Sequence, residues 1–585
     1  MKRAWLALGG LIWAAPLAAQ DAADPLAPTP EASVPAPVPA VPSIVQQPVI
    51  VQPQVQVPRD WRGVLDAIRA GNWVSAQAGI ASLPASPLAP VAKAELYTAR
   101  NSPTVSLSQL QNLLAEAPEL PQADQIARMA QVRGATAPLL VVPARRTMNL
   151  GSAPVRYRAR PVSGEPMADE LRKVLEPLVK VDDGPGAEAQ LLLYAPQLSA
   201  EARAEAGQRV AWIYYIQGLD LDARRVADTW RSEAVGEWSS QAAWISGLAS
   251  WRIGDCNSAS RSFQQVAGTA LQRELRAGGL YWASRAEQMC RRPRSVEPLL
   301  RAAANTAESS ESFYGLLARE TLGMSTRLPA DPHNTADPSI DQLPNVRRAI
   351  ELAQIGEVSL AEEMLRHQAK IGNPVEHHAL IQLAKRLDLP AAQWWLANNG
   401  QPGARSDASD RYPNPNWAPL GGWRVDPALA YGHIVQESTF RRTAVSHAGA
   451  VGLMQVLPIT ADLISRNRGT PRGSLTDPTY NLEFGQSFIE MMRRNPGTAG
   501  QLPRVIASYN AGPLPVARWA TINDRGDPLL WIESLPYWET RYYVPAVLRN
   551  MWVYQGLNHA DTPTLRSMVQ HRWPEFPTGM TRLSD

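Results

Sequence analysis

From Asp60 onward the apolar residues recur at helical spacing in short runs that stop at Gly or Pro, as in WRGVLDAIRAGNWVSAQAGIASL and ELYTAR. A period of 3.6 residues, rather than strand-like alternation, commits such a chain to short helices that bury one face each. The fold class read from this pattern is all-α. Between about residues 201 and 305 the helices come in pairs, SSQAAWISGLASWRIG followed by DCNSASRSFQQVAG, with small residues where a neighbouring helix can approach. Pairs of this kind predict a tetratricopeptide-like but irregular N-terminal helical superhelix. At 585 residues the chain exceeds a single core, so several domains are expected.

The N-terminus has a different character. Lys2 and Arg3 precede an apolar run from Ala4 to Leu17, followed by Ala18-Ala19-Gln20-Asp21, the pattern of a secretory signal over 1–20. No other stretch is long and apolar enough to span a bilayer, and no Cys stands near the cleavage region to carry a lipid. The expectation is an exported, soluble, periplasmic protein without a stable membrane anchor. Residues 21–58 are dense in Pro, Ala, Val and Gln, a linker composition. The remaining divisions are a superhelical domain at 59–325, a helical linker domain at 326–410, a C-terminal domain at 411–560 and a tail at 561–585. A Pro- and Gly-rich patch, GQPGARSDASDRYPNPNW, marks the 410 boundary.

Composition excludes some partners. With 57 basic and 54 acidic residues the net charge is +3, too small to bind nucleic acid by bulk electrostatics. Nineteen Trp against six Phe point to helix packing more than to sugar stacking. For His377 and His378 neither neighbouring carboxylates nor a second spaced His completes a ligand set, so they are read as solvated histidines and no metal site is assigned. No cofactor motif is present. Cys256 and Cys290, the only cysteines, form a possible disulfide in an oxidising compartment, with two buried thiols as the alternative.

The chemistry concentrates beyond residue 410. Asp426-Pro427 reads as an N-cap and first helical residue opening the helix ALAYGHIVQESTF. Leu429, Ile434 and Val435 lie near one face, and Glu437 falls at the edge of that stripe close to the helix end. Partial burial and the negative end of the helix both disfavour a carboxylate there. A glutamic acid so placed can arrive protonated near neutral pH, as a general acid must. The alternative is a surface glutamate at a frayed end.

Four motifs follow in order: Glu437-Ser438; Ser446 through Gly449 with Gly452-Leu453-Met454-Gln455; Ser508-Tyr509-Asn510-Ala511-Gly512-Pro513; and Glu533-Ser534-Leu535-Pro536-Tyr537 with Glu539-Thr540-Arg541. Together they resemble the soluble lytic murein transglycosylases. The resemblance implies a lysozyme-like catalytic domain at 411–560 mounted on a superhelix that in the family forms a ring or horseshoe. It implies cleavage of the β-1,4 bond between N-acetylmuramic acid and N-acetylglucosamine without water, with Glu437 as acid and then base and no second carboxylate. By motif position Ser446, Gln455, Tyr509 and Glu539 line the sugar groove, Tyr509 spending its phenolic donor near Glu437 or the substrate acetamido group. Peptidoglycan strands are the expected partner. Leu457 departs from the family, which often carries Met there. The competing readings are a hydrolytic muramidase on the same domain and an inactive scaffold that only holds glycan.

Overall fold

The computed structural model describes residues 56–306, 308–329 and 337–577. The expected signal, and the linker as far as residue 55, lie outside the described residues. Within them the chain is all-α: the only sheet is two residues wide, Met148–Asn149 paired antiparallel with Asn399–Gly400. No described helix is long and apolar enough to cross a membrane.

The helices group into two compact units. Of the described residues, one takes 56–116 and 125–138, and the other takes 117–124 and those from 139 onward. In the first unit Asp60 caps the helix Trp61–Arg69 by accepting from the Gly63 amide at 2.7 Å. Val64, Leu65 and Ile68 of that helix are buried, as are Ala76, Val91, Leu110 and Leu113 of the helices that follow, the one-sided burial that the periodicity requires.

The second unit begins its regular array with helix pairs: Ala200–Ile216 with Asp220–Arg231, Glu237–Ile253 with Cys256–Thr269, and Arg273–Met289 with Pro293–Ala304. A disulfide joins Cys256 to Cys290, Cα to Cα 5.5 Å, tying the start of one helix to the end of the next. Trp244, Phe263, Trp282 and Tyr314 stack through this array in ring pairs 5.4 to 6.3 Å apart. Trp282, Trp531 and Trp552 are among the largest fully buried side chains, so these tryptophans are packing groups.

The same unit contains the C-terminal domain, and a polar seam locks the two together. Glu533 has no exposed surface. It accepts from Arg156 Nη1 at 2.6 Å, the Tyr314 hydroxyl at 2.6 Å and Trp244 Nε1 at 3.2 Å. Beside it the Tyr215 and Ser534 hydroxyls lie 2.9 Å apart, and Arg285 donates to Asp527 at 2.5 Å. Desolvating a carboxylate is costly unless a cation and donors replace its water, and here both are present. Within the tail expected at 561–585, the helix Pro563–Val569 buries Leu565 and Met568, and Thr564 Oγ1 accepts from Trp552 Nε1.

Candidate active site

Asp426 starts the helix Pro427–Glu437 as the sequence suggests. One of its carboxylate oxygens accepts from the Ala428 amide at 2.9 Å and the other from Gln555 Nε2 at 2.8 Å. Thr439 and Phe440, with φ of 50° and 65°, then turn the chain away in a conformation L-residues seldom adopt. The helix therefore ends at Glu437. Its far side lies against the long helix Trp538–Leu557, and Gly432 makes that approach feasible: a Cβ there would stand 2.9 Å from the Val547 carbonyl oxygen.

That contact brings Tyr543 to Glu437. The Tyr543 hydroxyl donates to Glu437 Oε1 at 2.5 Å, and His433 Nδ1 lies 2.7 Å from the same hydroxyl. Glu437 is surrounded by protein while part of its surface stays open. Its carboxyl is pushed up to about 7, chiefly by burial, with the Tyr543 hydrogen bond acting in the opposite sense and the negative charge of Glu539 adding to the rise. Burial also lowers His433 to about 3, so its ring is neutral at physiological pH. The Tyr509 and Tyr543 hydroxyls are held well above their ordinary value, first by burial and then by the Glu437 charge.

Of the other expected groove residues, Tyr509 and Glu539 interact electrostatically with Glu437, whereas Ser446 and Gln455 have their contacts within their own loop. Ser446 and Gln455 belong to a small hairpin held by bridges between Val445 and Val451 and between Val451 and Val456. Ser446 Oγ accepts from the Ala450 amide at 3.0 Å, and Gln455 Nε2 donates to the carbonyls of Gly452 and Ala444 at 2.8 and 3.1 Å. Both side chains brace the loop. Gly452, at φ 83°, is obligatory: a Cβ would fall 2.2 Å from the Leu475 carbonyl oxygen. Tyr509 does not bond Glu437. Its donor goes to the Met454 carbonyl at 2.7 Å, while its ring lies 4.4 Å from that of His433 and 5.2 Å from that of Phe488. Glu539 is exposed in the first turn of its helix and accepts a 3.4 Å contact from Asn510 Nδ2.

Two residues of this cluster were not singled out from sequence. Tyr543 is one helical turn beyond Glu539, and His433 one turn before Glu437, so i to i+4 spacing carried the signal in both cases. The reading of His377 and His378 as solvated is corrected. His377 is buried with Nε2 2.9 Å from the Leu396 carbonyl. His378 sits among Asp337, Asp407 and Asp410, with ring-to-carboxylate distances of 2.9, 3.3 and 3.6 Å, and Arg405 lies beside Asp337. These carboxylates are distant from His378 in sequence, which hid the cluster.

The described residues are thus almost wholly helical, and at one helix end they hold a half-open, protonatable glutamate, Glu437, bonded to one neutral hydroxyl. Residues 418–532 match the Transglycosylase SLT domain. Over 276 residues it is 28% identical to the soluble lytic murein transglycosylase of Escherichia coli, an alignment covering 44% of this chain and 41% of that protein's length. The aligned region thus spans less than half of that relative. The fold of a lytic transglycosylase from Pseudomonas aeruginosa is similar over 89% of this chain and 88% of that one, at 18% identity and a TM-score of 0.55. That of the 70 kDa soluble lytic transglycosylase from Escherichia coli is similar over 88% and 98%, at 17% identity and a TM-score of 0.52.

Proposed function

We propose that this protein is a peptidoglycan lytic transglycosylase that cleaves the bond between N-acetylmuramic acid and N-acetylglucosamine and leaves a 1,6-anhydro end, with Glu437 as acid and then base. The observation that carries the reading is the state of Glu437: a carboxyl pushed up to about 7, at a helix end, held by one neutral donor. Glu437 delivers its proton to the glycosidic oxygen as that bond breaks. The positive centre left on the sugar is met by the substrate's own 2-acetamido oxygen. The Glu437 carboxylate then takes the proton of the C6 hydroxyl as that oxygen closes on C1, so the glutamic acid is restored and no water is consumed.

Several features support this over the two-carboxylate scheme, in which the second group is a nucleophile or activates water. Tyr543 spends its donor on Oε1, which directs the other oxygen, Oε2, towards substrate. Glu539, the acidic neighbour whose charge reaches Glu437, is solvent-exposed on the groove rim. Ser446, Gln455 and Tyr509 shape the groove by fixing its hairpin, and Glu539 offers a polar contact at its edge. The Pseudomonas aeruginosa structure is of an inactive glutamate-to-glutamine mutant, and the same exchange is the direct test of Glu437. The N-terminal signal pattern, together with relatives named for murein, supports action in the periplasm.

Sacculi digested by the full chain and by Glu437→Gln, with products weighed, test the whole reading. Anhydro ends from the wild type and none from the variant are expected. Ends heavier by one water would replace the transglycosylase with a muramidase, and no release by either protein would leave the scaffold reading.

A further inference from the structure

We infer that His433 is a positioning residue for Glu437: through the Tyr543 hydroxyl its neutral ring fixes which carboxyl oxygen accepts and which is left to carry the proton. The inference rests on the proposed acid and base role of Glu437 and extends it to a residue that does not touch substrate.

The argument is a count of protons. Tyr543 has one hydroxyl hydrogen, and an ionised Glu437 has none, so the 2.5 Å contact is a donation from Tyr543 to Oε1. The Tyr543 oxygen can then only accept in its 2.7 Å contact with His433, which places the imidazole hydrogen on Nδ1 and leaves Nε2 bare. The environment of Nε2 agrees: it is buried without a hydrogen-bond partner. A bare acceptor is tolerated there more readily than an orphaned N–H would be. His433 itself has no exposed surface, and its depressed basicity keeps the ring neutral, so the tautomer is stable across the working pH range.

When Glu437 is protonated, the same arrangement persists if the proton sits on Oε2 and Oε1 remains the acceptor from Tyr543. The chain His433 Nδ1–H to Tyr543 O–H to Glu437 Oε1 thus serves both halves of the reaction without rearranging. A hydroxyl that accepts from His433 is also a better donor. The titratable groups facing Glu437 are Tyr543 and Glu539 of the helix Trp538–Leu557, Tyr509 of the helix Leu502–Ala511, and His433 one turn back on its own helix. Only His433 can strengthen the Tyr543 bond without adding charge.

The test uses the full chain and compares His433→Leu, His433→Asn and His433→Gln by kcat and kcat/KM against pH on sacculi, with thermal unfolding alongside. His433→Leu keeps bulk and loses the donor; kcat is expected to fall roughly tenfold, the size of one lost hydrogen bond. The alkaline limb should move up by about half a unit, since a weaker Tyr543 bond holds the carboxylate less well. His433→Asn places an amide N–H near Nδ1 and should recover most of the rate and the limb, whereas His433→Gln places it near Nε2 and should not. An unmoved limb in His433→Leu, or equal recovery by Asn and Gln, would overturn the positioning role and leave His433 as packing. A wild type that forms no anhydro product would instead bring down the acid and base reading on which this one stands.

Discussion

Glu437 and Glu533 are both glutamates largely enclosed by protein in the same unit, and they mark two regions with opposite logic. At the seam, Glu533 meets a guanidinium 2.6 Å away and two further donors, from Tyr314 and Trp244. Its charge is neutralised where it was made, and the pair joins the helical array to the C-terminal domain. At its helix end, Glu437 has a single neutral donor and a like charge nearby. A buried carboxyl paired with a cation is a structural clasp, whereas one denied a cation keeps its proton to about neutral pH and is available for proton transfer. The difference is made by the neighbours, since the residue type is the same.

The largest expected effect follows from removing the transferable proton. Glu437→Gln should lower kcat about a thousandfold or more, with an unchanged far-ultraviolet circular dichroism spectrum; retention of a tenth of the activity would erase the distinction drawn above. Next, Arg156→Met removes the cation bonded to Glu533 and leaves it the Tyr314 and Trp244 donors. Breaking a buried pair from one side costs about 3–5 kcal/mol, read from denaturant unfolding. A small loss would show that Arg156 is not what holds Glu533 in place.

The all-helical fold was legible from residue spacing, and so was the opening of the Glu437 helix, because Asp426-Pro427 acts locally. The placement of Glu437 at a helix end was also readable. What could not be read is its burial, which depends on a helix that begins at Trp538, a hundred residues later, and on the close approach at Gly432. The donor Tyr543 was hidden for the same reason. Glu533-Ser534 stood among the motif residues of the resemblance, yet they lie in the seam, where their partners Arg156, Tyr314 and Tyr215 come from far upstream. Sequence shows that a residue matters to a family without showing whether it serves chemistry or assembly. His378 makes the converse point, since Asp337 and Asp407 reach it only through the fold.

A smaller effect sharpens the comparison through pH. With its folded value raised to about 7, above the ordinary range of an unfolded glutamate, Glu437 favours the folded state most at low pH. That contribution is lost as pH rises through about 7, when the buried group must ionise. Activity that needs the acid form should decline over the same interval. Glu437→Gln, which cannot ionise, is therefore expected to be more stable than wild type by about 1–3 kcal/mol at pH well above 7 and nearly equal to it at pH 4. Superimposable stability curves for the two proteins across pH would mean that water in the open cleft pays the desolvation cost.

The smallest expected effect separates the two tyrosines of the cleft. Tyr543 bonds Glu437 directly, whereas the Tyr509 hydroxyl is committed to the Met454 carbonyl in the hairpin that carries Gln455. Tyr509→Phe keeps the ring against His433 and Phe488 and removes only that bond, a loss of about 1 kcal/mol. On the proposed reading, in which that hairpin lines the glycan groove, the kinetic cost should fall mainly on KM, by a few-fold, with the alkaline limb of kcat unmoved. Tyr543→Phe, by contrast, should lower kcat and shift that limb upward, since the lost donor favours the ionised form of Glu437. Matching kcat losses and matching limb shifts in the two variants would mean that Tyr509 leaves Met454 when substrate is bound and takes a donor position at the reacting centre. The distinction between a residue that holds the groove and one that holds the acid would then lie in the complex rather than in the free protein.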